Sequence, residues 1–207
     1  PTNRILTSMC SPERLLFILQ YGIAYVRMER EVDGKIESTD QKHIMRYQQM
    51  FAAMAIRQRL SEGVKSGVVW HTQGSGKTAL SYYLTYILND FYAKQNKVAK
   101  FYFIVDRLDL LTQASEEFAA RGLHVEKVNS KEDFIKNIRT IGAANNSGEE
   151  TITVVNIQKF SMESVARKSD YDVSVQRVYF LDEAHRSYNP KGSFLANLMA
   201  SDREAVM

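Results

Sequence analysis

Read for its apolar positions, the chain opens with one helical period and then alternates between two rhythms. Ser11-Pro12-Glu13 reads as a helix start, with Ser at the N-cap and Pro at the first helical position. Leu15, Leu16, Ile18 and Leu19 follow before Gly22 stops the helix. Ile23, Tyr25 and Val26 suggest an extended piece, and Asp33-Gly34 is a turn signal. Ile44, Tyr47, Phe51, Met54 and Ala55 lie near helical spacing and predict a helix over 41–60, with Gly63 just past its end. From there strand and helix alternate. Residues 67–70 are predicted as a short apolar strand. A helix starts near Lys77, carrying Leu80, Leu84, Ile87, Leu88 and Phe91 on one side. Apolar strands are predicted at 101–105, 124–128, 152–155 and 178–181. Helices are predicted over 108–120, from Ser130 through Ile138, around 158–166 and over 193–200. Ser130 and Asp133 have capping-box spacing, and 145–150 is a polar loop.

Short apolar strands separated by amphipathic helices imply an α/β fold: a mostly parallel sheet covered by helices on both faces, preceded by an N-terminal helical and extended segment. In such sheets ligands bind beyond the carboxyl ends of the strands. The division expected is an extension over 1–40 and one nucleotide-binding lobe over 41–207.

Two of those strand ends carry chemistry. His71-Thr72-Gln73-Gly74-Ser75-Gly76-Lys77-Thr78 follows an apolar run and opens a helix, the context a phosphate-binding loop requires. Gly74 and Gly76 let backbone N–H groups close around a phosphate with no Cβ in the way, and the helix N-terminus adds favourable dipole charge. Lys77 supplies positive charge to the outer phosphates of ATP, and the Thr78 hydroxyl is a hard oxygen suited to Mg²⁺. The strict pattern has Gly where this chain has His71. The second strand end is Asp182-Glu183-Ala184-His185, 105 residues after Lys77. In a parallel sheet it can lie beside the loop, so that Asp182 holds the metal and Glu183 acts on water as general base.

Taken together, Gly-Ser-Gly-Lys-Thr and Asp-Glu-Ala-His resemble superfamily-two helicases and translocases, whose lobes are RecA-like phosphate-loop domains. Within them, Trp70 through Thr78 looks like the phosphate loop of the motor-nuclease subunit of type I restriction enzymes, where His in place of the first Gly is usual. Arg46-Tyr47-Gln48-Gln49 resembles the family's adenine-reading Q motif. Val105-Asp106-Arg107 with Leu110 and Gln113 resembles motif Ia, Asn156 through Phe160 motif Ib, and Asp182 through Ser187 motif II. The resemblance implies that Gln49 meets adenine and that Thr72, Gly74, Ser75, Gly76, Lys77 and Thr78 hold the nucleotide. Thr78 and Asp182 would hold Mg²⁺. Lys77, Asp182, Glu183 and His185 would be catalytic, with His185 coupling the nucleotide site to DNA movement. It further implies that Arg107, Gln113, Gln158 and Lys159 border a track for double-stranded DNA. The implied partners are a second RecA-like lobe and the methyltransferase and specificity subunits of a restriction complex, in a prokaryotic cytoplasm. The second lobe and the nuclease domain are expected outside this chain, which does not begin with Met and reads as a fragment. Another superfamily-two helicase or repair ATPase is the alternative. On the residues alone, a small phosphotransferase or a regulatory nucleotide-binding module also stays open.

Composition narrows this picture only at its margins. A hydrophobic share of 44% and a charged share of 25% suit a domain with a sizeable core. The formal charge of +3 permits nucleic-acid binding without arguing for it. Cys10 is the only cysteine, which excludes an internal disulfide and a zinc site of clustered cysteines. No apolar run reaches the roughly 18 residues of a membrane span, and no secretory signal opens the chain. Asp33-Gly34-Lys35 contains the Asp-x-Lys spacing of a nuclease site but reads as a turn. Tyr82, Tyr83, Tyr86 and Tyr92 crowd one helix and read as packing, not as base-stacking residues.

Overall fold

In the computed structural model, the described residues are 8–128, 130–139, 150–156, 174–182, 198 and 202–207. The elements run α1 (Pro12–Tyr21), β1 (Ile23–Val32), β2 (Lys35–Ile44), α2 (Tyr47–Ser61), α3 (Lys77–Ala93), β3 (Val98–Val105), α4 (Leu108–Ala120), β4 (His124–Val128), α5 (Lys131–Arg139), β5 (Thr151–Asn156) and β6 (Val175–Leu181). The main sheet has the order β4-β5-β3-β6 and is parallel throughout.

Its strands are apolar on both sides because both sides are covered. Phe101, Phe103 and Val105 of β3, with Ile152, Val154 and Val178, pack under α3 and α4 together with Leu84, Ile87, Leu88, Leu111 and Phe118. The alternate residues Tyr102, Ile104, Val155 and Tyr179 face the other way, onto Phe134 and Ile138 of α5 and onto Leu198. The expected α/β architecture is therefore observed. Tyr82, Tyr83 and Tyr92 are buried among the core residues and Tyr86 packs against them, as the packing reading required. Burial pushes the Tyr92 hydroxyl up to about 12. The Ser130 hydroxyl accepts the Asp133 N–H at 3.1 Å, the predicted cap of α5.

Two expectations give way. Residues 41–44 are not helical. They complete β2, which pairs with β1 along ten residues of antiparallel ribbon, from Ile23↔Ile44 to Val32↔Lys35. Asp33 and Gly34 take φ of 52° and 74° at the turn, the backbone a two-residue hairpin needs, so the turn reading of Asp33-Gly34-Lys35 holds. Helix α2 starts only at Tyr47. Ile44, counted on the inner helical face, is 60% exposed. The ribbon stands away from the core along most of its length, so β2 carries no apolar alternation to announce it. The second correction concerns 67–70, which is loop and not strand, with Val68 and Trp70 79% and 85% exposed. Sheet-like hydrogen bonds occur earlier. The Met207 N–H donates to the Lys65 carbonyl at 2.9 Å, and the Gly67 N–H to the Met207 carbonyl at 3.0 Å. The helix expected over 158–166 lies outside the described residues, as does that over 193–200 except for the buried, helical Leu198. No described helix is long and apolar enough to cross a membrane.

The end of the chain is fastened to the sheet by a buried ion pair. Arg177 Nε and Nη2 both donate to the Asp202 carboxylate, the second at 3.1 Å, and the Tyr179 hydroxyl lies 3.4 Å from the same group. Neither charged side chain is more than 2% exposed. Removing one partner of such a pair leaves a buried charge uncompensated. Asp202→Ala is therefore expected to lower stability by about 3–5 kcal/mol in urea unfolding. A loss below about 1 kcal/mol, the size of a surface pair, would contradict this placement.

Candidate nucleotide site

Helix α3 begins at Lys77, and the chain enters it through a turn that only glycine takes easily. Gly76 is the N-cap, with φ 82° and ψ 45°, and Gly74 has φ 75°. Both lie in the left-handed region that a Cβ disfavours by about 1–2 kcal/mol. The Ser75 N–H donates to the Thr72 carbonyl at 3.3 Å, which closes the turn. The first N–H groups of a seventeen-residue helix have no partner within it and carry the positive end of its dipole, so the mouth of this turn favours an anion. Lys77 and Thr78, the first two helical residues, are half-buried.

The polar atoms around the turn fit the same ligand. The Ser75 hydroxyl oxygen and His71 Nδ1 are buried with no hydrogen-bond partner in the protein. A buried polar atom left unsatisfied costs about 1–3 kcal/mol, and a nucleotide's oxygens or its ordered water would relieve it. Among the described residues no three His, Cys, Asp or Glu side chains gather into a metal cluster.

A second helix start meets the loop. Gln49, in the first turn of α2, is 4% exposed. Its Oε1 accepts the Arg46 N–H at 2.8 Å, and its Nε2 donates to the Gly76 carbonyl at 2.9 Å. Arg46 Nη1 makes a longer contact, 3.5 Å, to the Gly74 carbonyl. Arg46 was quoted in the motif but given no role. Its place directly ahead of α2, one turn before Gln49, is the signal that marks it.

The sheet relates the loop to Asp182. The Val206 N–H donates to Arg177 and the Tyr179 N–H to Val206, and Met207 bonds to Lys65 and Gly67 in the same alternation. Residues 65–67 thus lie two strand positions from β6, about 10 Å away at the usual spacing. In this register Tyr179, Met207 and Ser66 share one level. The Asp182 N–H extends the ladder by donating to the Ile104 carbonyl at 3.0 Å. Asn156 is paired with Val105, so β5 and β3 end on the same side. There Arg107, exposed, holds the Asp109 carboxylate through Nε at 3.0 Å and Nη2 at 2.5 Å. These bonds keep the Asp109 carboxyl below the usual range. Gln113 is exposed on α4. Glu183, His185, Gln158 and Lys159 lie outside the described residues.

The SWI2/SNF2 ATPase family matches residues 48–202, roughly three quarters of the sequence. The chain belongs to that family. Among its relatives, a type I restriction enzyme endonuclease subunit of Staphylococcus saprophyticus is 32% identical over 147 residues, covering 69% of this chain and 14% of that protein. A counterpart in Staphylococcus aureus strain MSSA476 is 33% identical over the same length and the same shares. A putative one in Methanocaldococcus jannaschii is 31% identical over 166 residues, 74% of this chain and 15% of that protein. The chain thus spans about one seventh of the length of these relatives. The resemblance to type I restriction motor subunits, first carried by motifs, is shown by whole-segment similarity. The matched segment includes residues 71–78, the turn into α3 and Asp182.

The two loop glycines separate strain from contact. A Cβ on Gly74 would meet nothing within 4 Å, whereas one on Gly76 would lie 2.5 Å from Gln49 Nε2. Gly74→Ala is expected to lose only the backbone strain, about 1–2 kcal/mol, and Gly76→Ala clearly more. Equal losses in urea unfolding would mean that Gln49 does not occupy the space beside Gly76.

Proposed function

We propose that this chain is the ATP-binding motor lobe of a type I restriction endonuclease subunit, which drives translocation of double-stranded DNA ahead of cleavage. The observation that carries the reading is the glycine turn into α3, in a chain whose relatives are restriction endonuclease subunits.

In this reading the loop from Thr72 to Thr78 holds the triphosphate, with Gly74, Ser75 and Gly76 giving backbone N–H groups and Lys77 a mobile charge. Gln49 reads adenine. Thr78 and Asp182 would hold Mg²⁺, which when bound neutralises charge on the phosphate oxygens. Glu183 orients water and takes its proton, and His185 carries the consequence towards the DNA. Arg107, Gln113, Gln158 and Lys159 border the DNA, where contacts to the backbone serve a motor because they carry no base information. Arg107 would exchange Asp109 for a phosphate. A second RecA-like lobe completes the catalytic site, the methyltransferase and specificity subunits bring the target, and the assembly works in a prokaryotic cytoplasm.

Glu183→Gln tests the reading in the full-length subunit assembled with its partners. ATPase stimulated by duplex DNA is expected to fall at least a hundredfold, within the roughly 10²–10⁴ that general base catalysis contributes, while ATP binding survives. Unchanged function would fit a regulatory nucleotide-binding module and overturn the motor. The 207-residue chain alone is expected to bind nucleotide weakly and hydrolyse it very slowly. Brisk DNA-stimulated turnover by it would remove the need for the second lobe.

A further inference from the structure

Arg107, just past the carboxyl end of β3, already holds an anion, and that anion belongs to its own chain. We propose that Asp109 occupies the place of a DNA phosphate on Arg107 and so sets how tightly, and with what salt dependence, the lobe grips duplex DNA. The inference rests on Arg107 bordering the DNA. The carboxylate takes the Nε–Nη2 edge of the guanidinium at 3.0 and 2.5 Å, one oxygen to each donor. An arginine takes two oxygens of a phosphate with the same fork. The carboxylate also accepts the N–H groups of Asp109 and Leu110 at the start of α4. The N-cap side chain makes no capping bond there. Asp109 thus gathers in one place the donors that a backbone phosphate would use. The bonds from Arg107, and behind them those from the two N–H groups, hold its carboxyl below the usual range, so it stays charged at ordinary pH.

Stability does not account for the pair. Both side chains are 60% exposed, and they stand two residues apart, so they fasten no element to another. An ion pair so open to water and salt contributes little to folding. The same exposure makes partner exchange easy, because neither group has to leave the core. The exchange has a charge balance that can be measured. A phosphate neutralised by a free arginine releases a bound cation, which makes binding salt-dependent. When Arg107 leaves Asp109 for a phosphate, the bared carboxylate takes up a cation as the phosphate gives one up. The two cancel, and Arg107 holds the DNA without adding to its salt slope. Such a contact suits a motor, since releasing a phosphate returns Arg107 to a waiting partner.

Anisotropy of a short fluorescein-labelled DNA duplex, titrated with the full-length subunit in the absence of ATP, reads affinity and salt slope together. Asp109→Asn keeps the shape of the side chain and removes its charge. It is expected to tighten binding about fivefold at about 50 mM salt, the upper range open to an exposed pair. The logarithmic salt slope is expected to steepen by about 0.9, the share of one phosphate, so that most of the gain is gone by about 200 mM. In an Arg107→Ala background the same substitution is expected to lose most of its effect, because no guanidinium is left to free. Unchanged or weaker binding in Asp109→Asn would overturn the inference; the weaker case would make Asp109 a brace that aims Arg107 at the DNA. An equal gain with and without Arg107 would overturn it too, leaving only general repulsion between a carboxylate and DNA. Arg107→Ala alone tests the underlying reading: if that variant binds duplex as the unaltered subunit does, Arg107 does not border the DNA and the inference falls with that placement.

Discussion

A helix can offer its free N–H groups to an anion only if the chain enters it by a turn that leaves its mouth open. At Gly76 that turn uses a backbone conformation that side chains resist. A glycine alone would leave it loose, since the residue that adopts left-handed φ most easily also leaves it most easily. What makes the turn specific here is the hydrogen bond from Gln49, which arrives from a different helix 27 residues earlier. The candidate site is thus built where two helix starts meet at the loop.

The sheet supplies the other half of the site by register. Parallel strands paired on both sides must end at comparable levels, and here β3, β5 and β6 do so at Val105, Asn156 and Leu181. Chemistry placed just after each strand is thereby gathered on one rim: Arg107 beyond β3, the start of motif Ib at the end of β5, Asp182 beyond β6. Residues 65–67, ahead of the loop, reach the sheet by way of Met207. The Arg177–Asp202 pair lies at the root of this arrangement. It holds residues 202–207 against β6, and through Met207 the stretch 65–67 as well.

What could be read from the sequence follows from where each signal lies. Strands buried on both faces are continuous apolar runs, and Phe101 to Val105 or Val178 to Leu181 announce themselves. The glycines, Lys77 and Thr78 are legible because their chemistry is local to eight residues. The β1–β2 ribbon was only half legible. Its turn is written in Asp33-Gly34, but β2 is exposed on both faces for most of its length and has no pattern to read. Residues 67–70 misled for the opposite reason. Val68, Val69 and Trp70 look like a buried strand, yet they run in loop conformation and lie open to solvent. The bond from Gln49 to Gly76 and the reach of Arg46 to Gly74 were illegible in principle, because both are contacts across distant sequence that only the packing of α2 against α3 creates.

That packing depends on residues ahead of the family match. Phe17 and Tyr21 of α1 lie in the same core cluster as Met50, Ala53, Leu84 and Leu88. The Tyr21 hydroxyl donates to Asp90 of α3 at 2.5 Å. Burial and that carboxylate push the tyrosine up to about 12, and hydrogen bonds from Lys94 and Tyr21 hold the Asp90 carboxyl low, so the contact persists across ordinary pH. At the foot of the ribbon the Met45 N–H donates to the Gly22 carbonyl, one residue before Arg46. The start of α2 is therefore tied to the end of α1, and α1 is tied to α3. A glutamine can hold a loop by a single 2.9 Å bond only if the helix that carries it does not drift relative to the helix the loop opens. The N-terminal helix and the base of the ribbon meet that requirement, which makes them structural supports of the candidate site.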